Sequence, residues 1–193
     1  MPRPPIGRNA KWSLVAATTA KYFCSTPQRA CCDGGLRHAF DRTRGHLITG
    51  CADGWIYIID VETGLEVWSV KTDNTIYTVP LVAEDKAYIG STDKYLYVLD
   101  LDGRTVKAKI FAGSKIFGPP RLLQGRIYFG ACNGIVYEMD PSTDEVTGAH
   151  QLPDAITSSD LQRRDGRFLR STYVNELFAE ERNIRLFGGP SKW

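Results

Sequence analysis

The sequence predicts an all-β chain built from repeated four-stranded units, and three observations carry that prediction. The first is a self-similarity. GCADGWIYIID from Gly50 to Asp60, GSTDKYLYVLD from Gly90 to Asp100 and GACNGIVYEMD from Gly130 to Asp140 recur 40 residues apart. The second is the turn inside each copy: Asp53-Gly54, Asp93-Lys94 and Asn133-Gly134. Asp-Gly and Asn-Gly reach positive φ at low cost and close two-residue hairpins. The third is a strand that is apolar on both faces. Tyr57, Tyr97 and Tyr137 share one face with Ile59, Leu99 and Met139, while Ile56, Leu96 and Val136 occupy the other. A strand with one wet face alternates apolar and polar residues, so this one expects a similar sheet on each side. Stacked four-stranded units of this period are the blades of a β-propeller. The length allows about four blades at ~40 residues each, as a small ring, an incomplete ring or an open arc.

In order along the chain, residues 1–11 are a Pro-rich, basic leader with the composition of disorder. Residues 12–187 form the repeat domain. Clear copies lie near 46–84, 85–124 and 125–162, degraded copies at 12–45 and 163–187, and residues 188–193 are a tail. Each clear copy opens with a short apolar strand running into its glycine: HLITG, KAYIG, RIYFG. After the hairpin turn the tyrosine strand ends at Asp60, Asp100 or Asp140. An Asp there accepts bonds from the backbone of the following turn, which is Glu62-Thr63-Gly64, Asp102-Gly103 or Ser142-Thr143-Asp144. A third strand follows (LEVWSV, TVKAKIF, EVTGAHQL). A fourth comes after a linker and ends near Pro80-Leu81-Val82, Pro120-Arg121-Leu122 and Ser158-Ser159. Lys94 stands where the other turns have glycine and carries a small conformational cost. In the last copy, residues 168–171 match the strand and glycine. Residues 176–187 read as a strand by the repeat and as a helix by the spacing of Leu177, Glu181 and Ile184.

Charge and cysteine content narrow the function classes. The net charge of +2 is unevenly spread: residues 1–45 carry eight Lys/Arg against two acids, and residues 46–160 nine against sixteen. The N-terminal cations are scattered rather than clustered, as in a solvated tail, so no nucleic-acid partner is expected. No stretch approaches the ~20 apolar residues of a membrane span. WSLVAATTA at residues 12–20 imitates a secretory signal, but Thr18 and Thr19 dilute it. The cytoplasm is the expected compartment. Five cysteines, an odd number with no CxxC pair, read as reduced thiols rather than a disulfide framework. His38, His46 and His150 lie at no metal-ligand spacing and offer no base to a nucleophile.

The sequence ITGCADGWIYIIDVETGLEVW, residues 48–68, combines an apolar strand into glycine, an Asp-Gly turn, a tyrosine strand ending in Asp, then Thr-Gly and Trp68. It resembles the pyrroloquinoline quinone (PQQ) enzyme repeat, with residues 88–103 and 128–146 as further copies. The resemblance spans roughly residues 40–180 and implies a propeller. In the quinoprotein dehydrogenases of that family, the ring holds PQQ and calcium at its axis beside an acidic base. Other members carry no PQQ: barrel-assembly lipoproteins, sensor domains and the propeller of acyl-CoA-synthetase-like, β-alanine-activating enzymes. The chain departs from the dehydrogenase pattern. Only Trp68 fills the repeat's tryptophan position, with Lys107 and Gly148 in its place in the next two copies. The adjacent cysteines that lie next to PQQ in those enzymes have a counterpart in Cys31-Cys32, which makes Cys31 and Cys32 the candidates for cofactor contact. Two small residues in an irregular insertion is the plainer reading.

The recurring residues have structural explanations. Gly50, Gly90 and Gly130 close a strand. Asp53-Gly54, Asp93 and Asn133-Gly134 turn a hairpin, and Asp60, Asp100 and Asp140, with Gly64 and Gly103 just after, shape a turn rather than a metal ring. Tyr57, Tyr97 and Tyr137 fill core between blades rather than stack on a flat ligand. Cys51 shares its register with Ser91 and Ala131 and is a small packed residue. The expectation is a non-catalytic scaffold, with no cofactor and no catalytic residue. It would bind a protein or small ligand through rim loops such as Asp73-Asn74-Thr75 and Gly113-Ser114-Lys115. Unpaired sheet edges allow self-association. The alternatives are a quinoprotein dehydrogenase, or a piece of one, needing PQQ and calcium, and the propeller portion of a β-alanine-activating enzyme.

Overall fold

The computed structural model describes residues 38–157 and, as backbone, the strands at 161–164 and 167–170. The leader, Cys31-Cys32, residues 176–187 and the tail lie outside the described residues. Every regular element among the described residues is a strand. The first sheet is β1 (His38–Asp41), β2 (His46–Gly50), β3 (Trp55–Asp60) and β4 (Glu66–Lys71). The second is β5 (Leu81–Ala83), β6 (Lys86–Gly90), β7 (Tyr95–Asp100) and β8 (Thr105–Phe111). The third is β9 (Arg121–Leu123), β10 (Arg126–Gly130), β11 (Ile135–Asp140) and β12 (Glu145–Gln151). A ribbon of β13 (Leu161–Arg164) and β14 (Arg167–Arg170) follows. Each four-stranded sheet is an antiparallel meander in chain order.

Packing between sheets explains the doubly apolar strands. Tyr97 and Leu99 of β7 pack with Ile48, Ile56 and Ile58 of the first sheet. Leu96 and Val98, on the other face of β7, join Tyr88, Ile127, Phe129 and Met139 against the third. All four β7 residues are fully buried. The first strands β1, β5 and β9 approach one another in succession. The last strands face solvent, with β12 exposed at six of its seven residues. The described residues form three consecutive blades of a β-propeller followed by a two-stranded ribbon, with the first strands innermost.

Two sequence expectations need correction. The segment at Leu81–Ala83 does not close the copy before it. It pairs with β6, Leu81 opposite Tyr88 and Ala83 opposite Lys86, and so opens the next sheet. The linker ending at Pro80 carries the chain from the outer edge of one sheet to the inner edge of the next, and the linker ending at Pro120 does the same. The repeat in the sequence and the sheet in space are therefore one strand out of phase. The tryptophan position of the second copy holds Ala108, not Lys107. Ile58 faces Trp68, Val98 faces Ala108 and Glu138 faces Gly148, and a bulge follows each pair. Trp68 lies half-buried against the core between the first and second sheets.

Turn geometry exposes the odd copy. Gly54 and Gly134 have φ of 81° and 79°, and Lys94 is held at 80°. A Cβ in this region meets backbone that glycine avoids. Lys94→Gly is expected to raise stability by about 0.5–1 kcal/mol, because the relieved strain exceeds glycine's added freedom in the unfolded chain. A shift of the urea midpoint at unchanged m-value would register it; an unchanged or lower midpoint would show that the turn bears no strain.

Cys51 is also corrected. It is fully buried and disulfide-bonded, so not every thiol is reduced. Cys132 is a free thiol.

Candidate functional site

The two rims of the array are built differently. On one lie the turns that follow β3, β7 and β11. Asp60 accepts bonds from the backbone N–H of Thr63 at 2.7 Å and its hydroxyl at 2.8 Å. These bonds hold its carboxyl below the usual carboxylate range. Asp100 accepts from Asp102 and Gly103 N–H, at 3.0 and 2.7 Å. Asp140 accepts from Ser142 N–H and Oγ at 2.8 and 2.6 Å, and these bonds lower its pKa as well. Gly64 takes φ of 70° in its turn. Each aspartate accepts bonds from its own turn, and Asp140 Oδ2 also pairs with the Arg126 guanidinium. No group of three or more His, Cys, Asp or Glu that could hold a metal ion occurs among the described residues. Where the first sheet carries Trp68, the second and third carry Ala108 and Gly148.

The opposite rim carries the hairpins of residues 51–54, 91–94 and 131–134 and the linkers that run from each sheet to the next. The aspartates here make short-range turns. Asp53 Oδ1 accepts from Trp55 N–H at 2.9 Å, Asp93 Oδ1 from Tyr95 N–H at 3.0 Å and Asn133 Oδ1 from Ile135 N–H at 3.2 Å. The tyrosines are core residues with a polar end on this rim. Tyr57 donates its hydroxyl to Asp53 at 2.9 Å and Tyr97 to Asp93 at 2.7 Å. In the third copy, both Tyr137 and Asn133 donate instead to the carbonyl of Ala112, at 2.9 and 3.0 Å. An amide can do this where a carboxylate cannot.

Burial and the Asp93 bond raise the Tyr97 phenol pKa above its ordinary value of 10.0. A phenol harder to ionise in the folded state supports stability below pH 10, and that support is lost as pH rises further. Tyr97→Phe should therefore be less stable than the parent at neutral pH by about 1.5–3 kcal/mol and show a flatter alkaline decline. Chemical denaturation across alkaline pH tests this; parallel curves would remove the Tyr97 phenol from the account.

Each linker folds back onto its own hairpin. Ile76, Ile116 and Ile156 donate N–H to the carbonyls of Cys51, Ser91 and Ala131 at 3.1, 3.2 and 3.3 Å. Their side chains lie on Gly50, Gly90 and Gly130. A Cβ at those glycines would stand 2.2, 2.3 and 2.6 Å from the isoleucine Cγ2. The glycines are required by this close approach. The isoleucines were missed in the sequence reading, although each follows its glycine by 26 residues in all three copies.

The same linkers join neighbouring sheets. Thr92 donates its N–H and hydroxyl to the Thr75 carbonyl at 3.1 and 2.7 Å, and Cys132 donates N–H to the Lys115 carbonyl at 2.9 Å. One residue past each buried isoleucine, Tyr77 and Phe117 stack with centroids 5.8 Å apart. Tyr77 and Val79 are both exposed, at 37% and 36%. Around this ledge stand exposed Asp73, Asn74, Gly113 and Lys115. A rigid backbone thus presents apolar area beside loops that differ between copies.

The sequence matches, over residues 12–165, the family model described as outer membrane protein assembly factor BamB. The chain belongs to this PQQ-like propeller-repeat family. Among solved structures, this PQQ-like propeller is similar to BamB from Moraxella catarrhalis, at TM-score 0.60 and 16% identity over 70% of the present chain and 42% of that one. The computationally designed Ika8 protein gives 0.59 and 19%, over 70% of the present chain and 42% of that one. The designed Ika4 protein gives 0.59 and 18%, over 72% and 85%. At these identities the likeness is one of fold. The chain spans about two fifths of the BamB and Ika8 structures it matches. No curated protein matches it significantly.

Proposed function

We propose that this chain is a non-catalytic scaffold that binds a protein partner through its linker rim. The observation that carries the reading is the Tyr77–Phe117 stack, in which exposed Tyr77 rests on half-buried Phe117 on hydrogen-bonded loops. Aromatic side chains supply large contact area at small entropic cost and dominate binding energy at protein interfaces. Propellers support many unrelated functions, so the fold by itself names no partner.

Affinity capture with the full chain tests the proposal. Tyr77→Ser with Phe117→Ser is expected to lower recovery of a captured partner at least tenfold with the circular-dichroism spectrum unchanged. Leu65→Ser, exposed at 68% on the other rim, should leave recovery intact. Equal recovery by both variants would place recognition elsewhere.

A further inference from the structure

Asn133-Gly134 is the one Asn-Gly step in the sequence. The corresponding steps in the first and second sheets are Asp53-Gly54 and Asp93-Lys94, so only the third hairpin joins a side-chain amide to glycine. That combination is reactive. A glycine has no side chain to hinder attack of its nitrogen on the preceding Cγ, and an amide, unlike a carboxylate, carries a leaving group. We propose that Asn133-Gly134 is a deamidation site held closed by the linker that follows β12.

The folded turn restrains each atom of that reaction. Gly134 donates its N–H to the Ala131 carbonyl at 3.0 Å. Asn133 Nδ2 donates to the Ala112 carbonyl at 3.0 Å, and Oδ1 accepts from Ile135 N–H at 3.2 Å. The linker then covers the turn. Leu152 donates N–H to the Gly134 carbonyl at 2.7 Å, and Ile156 donates N–H to the same Ala131 carbonyl at 3.3 Å. Exposed Gln151 reaches the Asn133 carbonyl through Nε2 at 3.1 Å. A Cβ on Gly134 would stand 2.7 Å from the Leu152 carbonyl oxygen and 2.9 Å from that of Asp154. Asn133 itself is exposed to water. The reaction therefore waits on local opening of the linker, a fluctuation short of global unfolding.

On opening, the Gly134 nitrogen attacks Asn133 Cγ. The N–Cγ bond forms, the Cγ–Nδ2 bond breaks, and Nδ2 leaves as ammonia with the Gly134 proton. Water opens the resulting succinimide at either carbonyl, giving aspartate or isoaspartate, and nothing is oxidised or reduced. Either product ends the donation to Ala112, because a carboxylate only accepts. Aspartate offers Tyr137 the acceptor that Tyr57 and Tyr97 use in their own hairpins. Isoaspartate adds a methylene to the main chain inside the turn. In both cases Ala112, which leads into the linker carrying Phe117, loses one of its ties to the third sheet.

The test incubates the full chain at mildly alkaline pH, folded in buffer and unfolded in guanidinium chloride. Peptide mapping over time reads the acid products by mass and isoaspartate by enzymatic methylation. In denaturant, Asn133 should convert ahead of every other asparagine. In the folded chain its conversion should be slower by roughly tenfold or more. Ile156→Ala should speed conversion in the folded chain and leave the rate in denaturant unchanged. Gln151→Ala, at an exposed position, should act in the same direction without disturbing the core. Equal rates in the folded and unfolded chains would overturn the proposal, as would a folded-state rate that neither variant alters.

Discussion

Gly90→Ala is expected to destabilise the chain by about 3 kcal/mol, at the upper end of what overpacking costs. The added Cβ would stand 2.3 Å from Ile116 Cγ2, 2.9 Å from Ile116 Cβ and 3.1 Å from Thr78 Cγ2. None of these atoms yields easily. Ile116 is fully buried, and its N–H is tied to the Ser91 carbonyl. Thr78, also fully buried, donates its hydroxyl to the Gly90 carbonyl at 2.7 Å. The linker must lift, and with it the loop that carries the aromatic ledge. Ile116→Ala removes the colliding Cγ2, so the double substitution should cost less than the sum of the single ones. Urea denaturation of the four proteins in this cycle measures the coupling. Additive losses would show that glycine and isoleucine do not meet.

Asp144→Asn should cost about 3 kcal/mol through a different mechanism, the exposure of an unpaired buried charge. Lys86 of β6 donates to Asp144, beyond β11, at 2.8 and 3.0 Å, and also to the Pro141 carbonyl. Only 8% of the Lys86 side chain and 6% of the Asp144 side chain are exposed. Asparagine suits the backbone there, where φ is 60°, so the substitution removes charge rather than changing conformation. Adding Lys86→Met should restore much of the loss. A contrast comes from Arg44 and Asp102, which join the first and second sheets at 2.7 Å. Asp102 is 69% exposed, and Asp102→Asn should leave the urea midpoint nearly unchanged. Similar losses at both acids would contradict the distinction between buried and exposed ties.

These two joints show how much of the molecule was legible in the chain. The sheets were readable because Gly50, Tyr57 and Asp60 have counterparts at fixed spacing, and because β7 carries apolar residues on both faces. The linker isoleucines were equally periodic, but they sit in irregular segments where no strand pattern draws attention to them. The misplaced strand at Leu81 has a geometric cause. A covalent repeat has no natural starting point, and only the pairing with β6 shows which sheet owns the segment. The Lys86–Asp144 tie does not recur in the other copies, so no periodicity announces it. Cys51 shows the limit in another way: its register with Ser91 and Ala131 marks it as a packed residue, and register says nothing of a disulfide. The aromatic ledge lay next to the loops proposed from sequence. Its stacking needed Tyr77 and Phe117 to meet across two sheets.

The central claim is that what recurs between copies holds the propeller together, whereas what differs on the linker rim recognises the partner. Saturation mutagenesis of residues 38–157, read in parallel for folded protein and for capture of the partner, tests it most directly. Substitutions at Gly50, Gly90, Gly130, Ile76, Ile116 and Ile156 should lower both readouts. Substitutions at Tyr77, Lys115 and Phe117 should lower capture alone. Capture-specific losses gathered instead around Asp60, Asp100 and Asp140, or no partner recovered by the unaltered chain, would contradict the account.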